Sequence, residues 1–112
     1  MPFRPILQRL IDAHPQTIRA VILCDHEGER VDAVSVDVPV FDVDVAGASF
    51  AIAAHQVGPG PRLRVVCDAA AFWVIALELD CYVVVWCQKG HERRCERAVS
   101  DAVATLSAAL SS

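Results

Sequence analysis

Ile18-Arg-Ala-Val-Ile-Leu-Cys24, Asp25-His-Glu-Gly-Glu29, Arg30-Val-Asp-Ala-Val-Ser-Val36: this stretch decides the fold. The first run is rich in β-branched and apolar residues, which favour extended backbone. Gly28, inside the polar cluster that follows, supplies the positive φ that a tight turn requires. In the second run Val31 and Ala33, with Val34 and Val36 out of phase, alternate with Arg30, Asp32 and Ser35. That mixture predicts a half-exposed strand, and the two runs together predict a β-hairpin.

Upstream, Phe3, Ile6, Leu7, Leu10 and Ile11 recur at helical spacing and predict a helix over 3–13. Pro5 fits its first turn and His14-Pro15 ends it. Downstream, Pro39 breaks the strand pattern. Asp42 then reads as the N-cap of a helix over 43–57, which is rich in Ala and other small residues on nearly every side. A helix without a broad polar face is covered on more than one side, either by its own chain or by another. Gly58-Pro-Gly-Pro61 stops it.

Three strand-like runs follow, at 63–67, 72–79 and 82–87, with turns expected at 68–70 and 80–81. The last two are almost unbroken Val, Ile, Leu and aromatic residues, as in central strands covered on both faces. A final amphipathic helix is expected over 92–110, with Cys95, Val99, Ala102, Leu106 and Ala109/Leu110 on its packing stripe. The order α-β-β-α-β-β-β-α implies an α/β (α+β) fold. One central antiparallel five-stranded sheet would carry the terminal helices on one face and the middle helix on the other.

At 112 residues the chain is expected to form a single domain over 1–112. Its 54% hydrophobic content is high for so small a body, which has much surface for its volume. Apolar area left over after one core is filled calls for a partner, most simply a second copy. A net charge of −4 without a basic run argues against nucleic acid. Arg93, Arg94 and Arg97, interrupted by Glu92 and Glu96, read as a solvated helix face. Charges near the amino terminus, where a leader would be apolar, and the lack of a membrane-length apolar stretch make the expected location cytoplasmic, without membrane insertion. The odd count of five cysteines reads as buried thiols rather than disulfides.

The element order, at this length, resembles the roadblock/dynein light chain family, a profilin-like sandwich. The likeness is carried by Ala20-Val-Ile-Leu-Cys-Asp-His-Glu-Gly-Glu-Arg-Val31, by Ala46-Gly-Ala-Ser-Phe-Ala51 and by Asp80-Cys-Tyr-Val-Val-Val-Trp86. Trp73 and Trp86 match no motif of that family. The resemblance implies a non-enzymatic homodimer whose third strands pair edge to edge, with the middle helices side by side. Leu63, Arg64, Val65, Val66 and Cys67 would then lie at the two-fold axis, with Ala46, Ala48, Phe50 and Ala53 beside it. Asp44, Ser49, His55 and Gln56 become candidates for contacting a further partner. By the same resemblance, to its bacterial gliding-motility branch, that partner is a Ras-like GTPase or another roadblock protein, in cell polarity or motility, and no cofactor is implied.

Other chemistry is weakly supported. Cys87, His91 and Cys95 have the spacing of a shared metal site, but a structural zinc needs a fourth ligand from elsewhere, such as Cys81 or His14. Cys24 with His26 would make a nucleophile only if the turn brought them together. Asp42/Asp44 and Glu27/Glu29 have structural reasons at a helix start and in a turn. Gly58-Pro-Gly-Pro61 is a poor phosphate cradle, because its prolines remove N–H donors. Three roles remain: a GTPase regulator, a scaffold for other roadblock proteins, and a sensor using a pocket or thiols.

Overall fold

The hairpin forms as the sequence predicts, and the rest of the sheet grows from it. A computed structural model describes residues 3–58 and 62–111. Helix α1 is Arg4–Ala13, β1 Ile18–Asp25, β2 Arg30–Ser35, α2 Val40–Val57, β3 Arg62–Val66, β4 Ala70–Ala76, β5 Cys81–Gln88 and α3 Glu96–Ser111. The five strands pair antiparallel in the order β2-β1-β5-β4-β3. The Asp25 carboxylate accepts the Glu27 and Glu29 N–H groups, both at 2.9 Å, and Gly28 turns the chain at φ 87°.

Helices α1 and α3 cover one face. There Leu7, Leu10, Ile11, Val99 and Leu106 pack on Val21, Leu23, Trp73, Val83 and Val85. Helix α2 covers the other, setting Val43 and Ala51 on Ala20, Ile22, Phe72, Val74 and Val84. Strands β4 and β5 are buried on both faces. Their continuous apolar runs therefore have the expected cause.

Several boundaries differ from expectation for identifiable reasons. Helix α2 begins at Val40, one turn earlier, with Pro39 at its N-cap, and Asp42 lies in its first turn. Proline's fixed φ and missing N–H suit that entry. Strand β4 starts at Ala70 and ends at Ala76, because Leu79 and Asp80 take positive φ in the 3-10 turn of Glu78–Asp80. Cys81 then opens β5 instead of closing the turn. Strand β3 is shifted to Arg62–Val66, leaving Cys67 beyond it and exposed. A 3-10 turn, Glu92–Cys95, precedes α3. Gly58, at φ 98°, closes α2; Pro59, Gly60 and Pro61 lie outside the described residues. Among the described residues, no helix is long and apolar enough to cross a membrane.

Asp32 corrects the reading of β2 as a strand with its polar side out. It is only 5% exposed and sits on the α1 face, where it receives the Arg4 guanidinium. That hydrogen bond, more than any other effect, holds its carboxyl below the usual range. A carboxyl depressed on folding contributes stability above its unfolded pKa, and the contribution disappears as pH falls through the folded one. Asp32→Asn is therefore expected to flatten the acid limb of a stability–pH profile below about pH 4, measured by urea titration.

Candidate interaction surface

A sheet of this order has two outer strands, β2 and β3, and they differ in how their unpaired backbone is treated. On β2, the Val36 N–H bonds inward to the Arg19 carbonyl at 2.8 Å. Antiparallel alternation then turns the Ala33 N–H outward. The Asp32 carboxylate accepts that N–H at 2.9 Å, and Asp37, at φ 58°, bends the chain away just beyond the strand. On this edge the outward Ala33 amide is thus capped, and the outward Ser35 lies next to the bend at Asp37.

On β3, the Cys67 N–H bonds inward to the Ala70 carbonyl at 2.8 Å, continuing the Val66↔Ala71 register. The same alternation makes Leu63 and Val65 the residues hydrogen-bonded to β4, and turns the N–H and C=O groups of Arg62, Arg64 and Val66 outward. Among the described residues no side chain caps them. Arg62 is held on the α3 face, 3.5 Å from Glu96, 2.8 Å from Ser100 Oγ and over the Trp73 ring. Arg64 lies 3.5 Å from Glu92. Val65 packs with the α2-side core, and Leu63, 40% exposed, lines a cleft on that side. This edge is open.

Helix α2 buries a narrow stripe, Val43, Gly47 and Ala51, within its own chain. Gly47 allows the approach: a Cβ there would stand 2.8 Å from Ile22 Cγ2 and 2.9 Å from Cys24 Sγ. The small residues thus serve two ends, since the helix's remaining sides are only partly covered. On the flank toward β3 lie Ala46, Phe50, Ala53 and Val57, with the Phe50 and Phe72 rings 4.4 Å apart. On the flank toward the hairpin, Ala48 and Ile52 lie against Gly28, and Asp44 lies 3.4 Å from Arg30. Phe41 and Val45 extend that stripe, and Phe41 is 77% exposed. The candidates for the two-fold axis are therefore divided: Ala46, Phe50 and Ala53 accompany β3, while Ala48 faces the opposite way.

Between the end of α2 and β3–β4 is the cleft of about 450 Å³, lined by Ala54, His55, Val57, Leu63, Val74, Leu77, Asp80 and Tyr82 among others. His55 Nδ1 is 2.9 Å from the Tyr82 hydroxyl, and its ring lies 4.8 Å from that of His26. Burial, followed by the charge of Asp80, raises the Tyr82 hydroxyl. Ser49 and Gln56 are exposed on the outer side of α2. The His26–His55–Tyr82 group escaped the sequence reading because its members come from three separate elements.

The chemical alternatives do not assemble. Cys24 is buried against Gly47, and its thiol is pushed up to about 12, chiefly by burial, while His26 is directed to His55. Cys87 and Cys95 are both fully buried, and burial raises both thiols. Among the described residues no cluster of three or more His, Cys, Asp or Glu has the geometry to hold a metal ion. Glu92, expected on a solvated face, is 7% exposed, and its Oε1 accepts the Gly90 N–H at 2.9 Å.

An α2-faced antiparallel sheet of this order, backed by two terminal helices, matches solved structures along its whole length. A Roadblock/LC7 domain from Streptomyces avermitilis superposes with a TM-score of 0.79, covering 100% of both chains at 13% identity. This is the Roadblock/LC7 fold. Myxococcus xanthus MglB shares it with a TM-score of 0.82 at 12% identity, over 98% of this chain and 88% of its own. MglC from the same organism gives 0.77 at 14% identity, over 96% and 98%. No protein-family model and no curated protein matches the sequence. The Roadblock/LC7 fold is thus carried by packing and topology at very low identity.

Proposed function

We propose that this chain is a non-enzymatic homodimeric interaction module that regulates a Ras-like small GTPase in cell polarity or motility. Two copies join along β3, and the paired α2 helices face the partner. The observation that carries this reading is the contrast between the edges. On β2 Asp32 caps the outward Ala33 N–H and the chain bends at Asp37, whereas among the described residues no side chain caps the outward backbone groups of Arg62, Arg64 and Val66 on β3. An uncapped edge is a template for another strand. Beside it, Leu63, Phe50, Ala53 and Val57 offer an apolar flank that an adjoining α2 can cover. Similarity to MglB and MglC supports the same class of role.

Arg62 and Arg64 are both held by carboxylates of their own chain, so the regulatory effect is assigned to position rather than to a donated catalytic group. A partner can bias switch loops by binding one of their conformations better than the other. Sedimentation over a concentration series, followed by pull-down with a Ras-like GTPase loaded with GTP or GDP analogues, tests the reading. A dimer with nucleotide-dependent binding is expected. A monomer at every concentration overturns it. Nucleotide-blind binding to a second roadblock protein replaces regulation with scaffolding.

A further inference from the structure

We propose that two copies pair their β3 strands in the register that sets Arg64 opposite Arg64 of the second copy, with Glu92 as the counter-charge that permits it. This rests on the self-association reading above and fixes its geometry. The outward N–H and C=O groups belong to Arg62, Arg64 and Val66. A two-fold axis between antiparallel strands can lie at residue 63, 64 or 65 while still pairing outward groups with outward groups. Only the axis at Arg64 engages all three residues, by pairing Arg62 with Val66 of the second copy. The flanking registers set one of the three opposite residue 60 or 68, beyond the bounds of β3.

This register carries an electrostatic cost. The axis is perpendicular to the sheet, so both Arg64 side chains emerge on the α3 face from backbones about 5.5 Å apart. Like charges directly opposite across strands are destabilising. Glu92 answers that cost on each side. Its Oε2 is 3.5 Å from the Arg64 guanidinium, and its Oε1 is fixed by the Gly90 N–H. Its own carbonyl accepts the buried Trp73 indole N–H at 2.8 Å, which anchors the turn that carries it. A carboxylate that is 7% exposed beside the open edge thereby acquires a reason to be there. Hydrogen bonds from backbone N–H groups, with the nearby arginines, hold it ionised by lowering its carboxyl below the usual range.

The test is sedimentation of the full chain and of Glu92→Gln, Arg64→Gln and the double variant, with thermal melts of each. Glu92→Gln retains an acceptor for the Gly90 N–H and is expected to weaken the dimer roughly tenfold. The double variant, with neither charge, is expected to return to within about threefold of the starting affinity. Register is read independently by diamide oxidation in a Cys67→Ser background. Arg64→Cys is expected to crosslink to itself, whereas Leu63→Cys and Val65→Cys crosslink only when mixed. Self-crosslinking of Leu63→Cys or Val65→Cys, or a dimer indifferent to Glu92→Gln, overturns the inference while leaving the dimer intact. A monomeric wild-type chain overturns the underlying reading instead.

Discussion

Gly47→Ala is expected to destabilise the protein by about 1–2 kcal/mol, against the direction that helix propensity alone dictates. In the interior of an exposed helix this change would stabilise by about 1 kcal/mol, because alanine loses less backbone freedom on folding. Here the added methyl would meet Ile22 Cγ2 at 2.8 Å and Cys24 Sγ at 2.9 Å, distances that packed carbon and sulfur do not tolerate. Ile22 and Cys24 are fixed in a central strand and are essentially unexposed, so neither can swing away. Relief must come from α2 lifting off the sheet, and overpacking of this kind costs about 1–3 kcal/mol. Urea denaturation reads the net effect. Ser49→Ala, two residues on and exposed, is the control and should stay within about 0.5 kcal/mol of the parent. Equal stability of Gly47→Ala and the control would show that α2 does not sit this close to β1.

Gly47 also shows how far the sequence could be read. The small-residue character of α2 was visible, and it predicts close approach to something. What it cannot tell is which small residues face inward, because a helix that is apolar all round has no periodicity to phase it. Val43, Gly47 and Ala51 became the inner stripe only once the hairpin was placed beneath them. The hairpin, the two-sided burial of β4 and β5, and the packing stripe of α3 were legible because their patterns are strong and local. Asp32 and Glu92 were not, since each looks like an ordinary surface charge until Arg4 or Arg64 arrives from a distant element. The contrast between the two sheet edges was equally hidden. It depends on which amides point outward, and a hydrophobic pattern gives the side-chain phase but no information about strand neighbours.

Arg64→Pro and Val65→Pro, one residue apart, are expected to fail in opposite ways. The Val65 N–H points inward and bonds to β4, by the phase that the Cys67–Ala70 bond sets. Proline there removes a ladder bond and drives its ring into the adjoining strand, a loss of about 3 kcal/mol in the fold of the single chain. The Arg64 N–H points away from β4, where proline is tolerated on an edge strand. Arg64→Pro should therefore melt close to the parent while its self-association weakens by about a hundredfold, through two symmetry-related hydrogen bonds and ring bulk at the axis. Arg64→Gln separates loss of charge from loss of the amide, since it keeps the N–H and removes only the guanidinium. Thermal melts paired with sedimentation distinguish the outcomes. If Arg64→Pro still dimerised with the parent's affinity, β3 would not be the joining edge, and the apolar flank of α2 would have to be covered by another route.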